Sequence, residues 1–126
     1  MIINLFNTVN TDEYFMSMSF TRTDIATAIR NRAYAGAYGA GVVNDTTGAS
    51  AVVFNMLAAT NVFGNRILLD NQSGIMHEKT GIIDPNNYTS DPLVFTGSHN
   101  WSSNAENDND ENIVVMHDPA IANIYY

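Results

Sequence analysis

The sequence predicts an α/β domain with a mixed, largely parallel sheet flanked by helices. Apolar strand-like runs alternate with segments of helical periodicity along the whole chain, the pattern of a layered α/β sandwich. Glycine, proline and asparagine clusters punctuate those runs. A length of 126 residues with 45% apolar residues suits one domain with a real core.

In chain order, Tyr14–Phe20 reads as a buried strand. Thr21-Arg22-Thr23-Asp24 gives a capping-box-like helix start, and Ile25, Ala28 and Ile29 fall on one face of that helix. Ala35–Gly41 ends it, with Gly39 and Gly41 as turn glycines, and leads into a short strand Val42–Asn44. A second helix is expected over Ala49–Ala59 and a strand at Ile67–Asp70. Thr80–Asp84 and Leu93–Thr96 form two apolar strands, separated by the turn-forming residues Pro85–Pro92, which read as a surface loop. Asn112–Met116 is a last strand, and Asp118-Pro119 opens a final helix. No internal repeat is visible.

Net charge is −8, which argues against a broadly basic nucleic-acid-binding surface but leaves room for a local positive pocket around Lys79. The acidic run Glu106–Glu111 reads as a solvated loop, because it lacks the glycine and spacing of a calcium-binding EF-hand. No run approaches transmembrane length, no signal-peptide pattern opens the chain, and cysteine is absent. The richness in Asn, Ser and Thr suits a soluble bacterial protein, secreted or of the cell envelope.

The chemistry-bearing residues concentrate between His77 and Glu111. His77 and Lys79 stand two apart, so on a strand they address one pocket together. A neutral imidazole can attack phosphorus, and an ammonium beside it can neutralise phosphoryl oxygens. Ser98 and Asn100 repeat the i, i+2 spacing after Gly97 and offer hydroxyl and amide donors to the same phosphate. Asp84 lies an odd number of residues from Lys79 and precedes Pro85, which makes it a structural residue at a strand end.

His77-x-Lys79-x4-Asp84 followed by Gly97-Ser98-x-Asn100 resembles the signature of the phospholipase D superfamily. The resemblance extends from about Tyr14 to Tyr126, and its specific part is His77–Glu111. It implies a phosphodiesterase that needs no metal or other cofactor, with His77 as a nucleophile that becomes a phosphohistidine. It also implies a phosphate clamp of Lys79, Ser98 and Asn100, with Gly97 and Asp84 as structural members of the motif. Glu111 matches the family's acidic residue that bonds the nucleophilic histidine and fixes its tautomer. The implied substrates are phosphodiesters, either nucleic acid or phospholipid.

The link between Asp84 and Gly97 is longer than the family usually has, and the segment ahead of the first strand is shorter. The chain therefore reads as a single domain, half of the usual two-motif arrangement, excised or truncated from a longer parent. Family members place two motifs across a pseudo-twofold axis, and this chain carries one. His99 and His117 sit in no second H-x-K context and read as surface or structural histidines. A homodimer, or a second half elsewhere in a parent chain, would supply the missing histidine. The non-enzymatic alternative is a domain that binds a phosphate ligand, or pairs with another half, without chemistry of its own. Trp101 either lines the pocket or packs in the core.

Overall fold

Six stretches rich in β-branched and aromatic residues pair into one sheet, and the computed structural model describes residues 1–59 and 61–126. The strands are β1 Asp12–Ser17, β2 Tyr38–Val43, β3 Ile67–Leu69, β4 Lys79–Ile83, β5 Leu93–Gly97 and β6 Ile113–His117. The helices are α1 Ile2–Phe6, α2 Thr23–Tyr34, α3 Gly48–Ala58, α4 Ser103–Asn107 and α5 Pro119–Tyr125. The spatial order is β3-β2-β1-β4-β5-β6.

The sheet is mixed, and parallel pairing is confined to its first half. β1 pairs in parallel with β2, and β2 with β3, through the helical crossovers α2 and α3. β4 turns back antiparallel along β1, and the β4–β5 and β5–β6 pairs are antiparallel too. The link 84–92 between β4 and β5 is too short for the crossover that parallel strands need.

Register sorts the side chains onto two faces. Phe15 lies opposite both Gly41 and Gly81, and Gly81 lies opposite Phe95, so these positions share one face. That face carries the main core, in which Phe6 of α1, Ile25 and Ile29 of α2, and Val53 and Leu57 of α3 are buried with Phe15 and Phe95. Trp101 joins them at 1% exposure, edge-on to Phe6 at 5.5 Å and to Phe20 at 4.9 Å and stacked with Phe95 at 6.0 Å. It is a core residue. Helix α5 covers the opposite face over β4–β6, and the ring of Tyr126, just beyond its end, lies 4.7 Å from Tyr14.

Two local expectations are corrected. Gly39 and Gly41 are not turn glycines; they lie inside β2. A Cβ on Gly41 would sit 2.2 Å from the Phe15 ring, and one on Gly39 2.4 Å from Phe63, so the bare backbone makes room for aromatics from elsewhere. Helix α2 also starts without the expected capping box, because its N-cap is Arg22 and no side chain caps it. Arg22 instead bridges Asp24 and Glu106, at 2.7 Å each. Helix α5 does begin as its sequence predicts, with Asp118 accepting from the amides of Ala120 and Ile121 and Pro119 in the first turn.

Candidate active site

The antiparallel half of the sheet gathers the motif at one end. Ser17 at the end of β1 pairs with Lys79 at the start of β4, and Gly97 at the end of β5 pairs with Ile113 at the start of β6. His77, Ser98, Asn100 and Glu111 lie in the loops that leave or enter the sheet at that end. The opposite end carries Glu13 beside Ile83, and Leu93 beside His117.

Lys79 is almost fully buried at 4% exposure. Its ammonium nitrogen lies 3.4 Å from Nε2 of His77, donates to the His77 carbonyl at 3.2 Å, and contacts Sδ of Met18 at 3.7 Å. No carboxylate is paired with it among the described residues, so its charge is set against the exposed imidazole. His77 itself is exposed. A reachable imidazole against a fixed cation suits the approach of an anion.

On the β5 side, the exposed Ser98 is held by Asn112. The Ser98 amide donates to Oδ1 of Asn112 at 3.2 Å, and the Asn112 amide donates to Oγ of Ser98 at 3.0 Å. Gly97 permits this approach, since its φ is +156° and a Cβ there would meet the Asn112 carbonyl oxygen at 2.3 Å. Asn100 keeps a buried Oδ1 that has no hydrogen-bond partner among the described residues. An unpartnered buried amide oxygen is costly and calls for an explanation.

Glu111 precedes β6, and its carboxyl is held below the usual range. The Ser98 hydroxyl that donates to it is the largest cause; burial works against, and Asn109 and the charges of His99 and Lys79 add to the lowering. Asn109 Nδ2 donates to it at 3.3 Å. The structure thus brings Glu111 to Ser98 and into the field of Lys79. It forms no hydrogen bond between Glu111 and His77 among the described residues, because His77 turns toward Lys79 while Ser98 and Asn109 occupy the carboxylate.

Asp84 and the two other histidines lie apart from this cluster. Asp84, fully buried at the far end of β4, accepts from the amides of Asn10, Thr11 and Asp12 at 3.0, 2.8 and 3.0 Å and from the Ser90 hydroxyl. His117 pairs with Asp91 at 2.8 Å at that same far end. His99 turns its Nε2 to Glu106 at 3.4 Å, on the wall of a cavity of about 200 Å³ shared with Glu111 and Asn109. Within one chain, then, no second imidazole stands beside His77 among the described residues. Sequence reading assigns no role at the site to Asn112 or Met18, although Asn112 directly follows Glu111; the β5–β6 and β1–β4 pairings bring both to the site. Among those residues no three His, Asp or Glu side chains converge as metal ligands, and no helix is long and apolar enough to cross a membrane.

A mixed α/β sheet with this motif at one end defines a phospholipase D-like domain. The family described as "Cardiolipin synthase, PLD-like domain" matches residues 2–126, and the chain belongs to that family. Among solved structures it is similar to Nuc from Salmonella typhimurium, a phospholipase D family member, with a TM-score of 0.81 and 29% identity. That match covers 98% of this chain and 78% of Nuc. NucT from Helicobacter pylori is similar with a TM-score of 0.77 and 26% identity, covering 98% of this chain and 79% of NucT. No curated protein matches the sequence.

Proposed function

We propose that the chain is a phosphodiesterase that works through a phosphohistidine at His77 and requires no metal for the displacement. The observation that carries this reading is the Lys79 ammonium, buried and 3.4 Å from the His77 ring nitrogen. An imidazole nitrogen of His77 attacks phosphorus, the bond to the leaving oxygen breaks, and that oxygen takes a proton from an acid. Water then attacks the phosphohistidine, releases the phosphomonoester and frees the imidazole. Lys79, the Ser98 hydroxyl and the Asn100 amide hold the phosphoryl oxygens, where charge builds in the transition state.

Glu111 serves the histidine in this scheme once substrate has bound. The phosphate draws the Ser98 hydroxyl away from Glu111, and the released carboxylate is then free to turn to the imidazole and fix its tautomer. The acid that protonates the leaving group is the His77 of a second copy in a homodimer, since His99 and His117 are engaged elsewhere. The substrate is the phosphodiester of a nucleic acid or a phospholipid.

Hydrolysis of a chromogenic phosphodiester by the purified chain in excess EDTA, beside His77→Ala, tests the proposal. Turnover that persists in EDTA and vanishes in the variant is the expected result. Turnover lost to EDTA, or retained by His77→Ala, overturns the mechanism. A chain that binds phosphate without turnover supports instead a binding domain that acts only with another half.

A further inference from the structure

We infer that Asn112 is a positioning residue that aims the Ser98 hydroxyl at the phosphate, an inference that rests on the phosphodiesterase reading above. Asn112 follows Glu111 at the end of the motif stretch without a role assigned to it there, yet it makes three polar contacts with the loop that carries the clamp. Its Oδ1 accepts from the Ser98 backbone amide at 3.2 Å, its own backbone N–H donates to Ser98 Oγ at 3.0 Å, and its backbone carbonyl accepts from the His99 amide at 3.4 Å. Gly97 lets the two segments close to this distance, because a Cβ there would overlap the Asn112 carbonyl oxygen.

The consequence follows from the valence of a hydroxyl, which offers one proton and two lone pairs. With one lone pair of Ser98 Oγ occupied by the Asn112 backbone N–H, the proton must point elsewhere. In the free protein the acceptor at hand is Glu111, whose carboxyl is held below its usual range with the Ser98 hydroxyl as the largest cause. With a phosphoryl oxygen in the site, the same restraint leaves Ser98 a directed donor rather than a rotor. A donor already oriented needs no reorganisation as charge develops, so the benefit falls on the transition state. The Oδ1 contact matters because it fixes the Ser98 backbone from which that hydroxyl projects. Asn112 is itself exposed, so its bonds are worth little to overall stability, and a substitution there leaves a folded protein.

The test compares Asn112→Ala, Asn112→Asp and Ser98→Ala, with Asn112→Ala also placed on the Ser98→Ala background. Asn112→Asp keeps an acceptor where Oδ1 stands. The expected result is a kcat lowered about tenfold in Asn112→Ala, equivalent to about 1.4 kcal/mol of barrier, with KM little changed. Asn112→Asp recovers most of that kcat, and Asn112→Ala costs nothing further once Ser98 is alanine. Amide hydrogen exchange at Ser98 and His99 quickens in Asn112→Ala and returns toward wild type in Asn112→Asp. An active wild type with an unchanged Asn112→Ala variant overturns this inference alone. So does an aspartate variant as slow as the alanine one, or a loss that persists without the Ser98 hydroxyl. A wild-type chain with no phosphodiesterase activity overturns the function and this inference with it.

Discussion

Lys79 holds its ammonium nitrogen 3.4 Å from Nε2 of His77 while 96% of the lysine is out of solvent. The two residues stand two apart in sequence and meet at this contact, and the Ser17–Lys79 pairing fixes the start of β4. A cation anchored in this way is preorganised for a phosphoryl group, whose equatorial oxygens gain charge as the bond to the leaving group breaks.

Lys79→Ala therefore lowers kcat by roughly 10²–10³-fold, the scale for removing one preorganised charged donor. Its thermal midpoint changes little by comparison, since the substitution also removes a cation that has no carboxylate partner among the described residues. Steady-state kinetics beside a thermal melt checks both halves. Wild-type turnover in the variant would remove Lys79 from the mechanism.

Much of this site was legible in the sequence because its spacings are local. His77 and Lys79, two apart, do meet, although His77, Ser98 and Asn100 lie in loops beside the strands rather than on them, and Asp84 is set apart by lying at the far end of β4. What stayed hidden depends on partners distant in sequence. Gly39 and Gly41 look like turn residues until Phe63 and Phe15 are seen to fill the space above them. Helices α1 and α4 are too short to show a helical period. The Ser98–Asn112 contacts depend on the β5–β6 register, and the lowering of the Glu111 carboxyl depends in turn on Ser98. The antiparallel turn at 84–92 was readable from length alone and was outweighed by the alternation of strands and helices.

Asp84 acts at the end of β4 opposite Lys79, as a tie between that strand and the turn ahead of β1. Its φ of +49° is strained for a residue with a side chain, and the bonds from Asn10, Thr11, Asp12 and Ser90 repay the strain. Burial opposes ionisation, but the Ser90 hydroxyl and those three amides outweigh it and hold the carboxyl below its usual range. A depressed folded pKa gives stability that is present above the unfolded value of about 3.9 and lost as pH falls through the folded one. Asp84→Asn is expected to destabilise by roughly 2–3 kcal/mol at pH 7, with kcat retained below its melting temperature. The gap to wild type narrows as pH drops below about 4. Melts of both proteins from pH 7 to pH 3 check this, and a gap that stays constant would rule out the ionised carboxylate as its source.

Glu13 poses the reverse case on β1. It is fully buried, both carboxyl oxygens lack a hydrogen-bond partner among the described residues, and a phenylalanine lies within reach over Gly39. Burial pushes its carboxyl up to about 9; the charge of Arg32 works against this and that of Asp84 adds to it. Between the unfolded value of about 4.3 and that folded value, the native state keeps a proton that the unfolded chain has shed. Stability therefore falls as pH rises through this window, by at most about 1.4 kcal/mol per pH unit. Glu13→Gln carries a neutral amide in place of the protonated acid and removes the titration. Its melting temperature should match wild type near pH 4.5, within a degree or two, and exceed it by roughly 5 °C or more at pH 8. Parallel pH dependences in the two proteins would show that Glu13 sheds its proton in the fold as readily as in the unfolded chain.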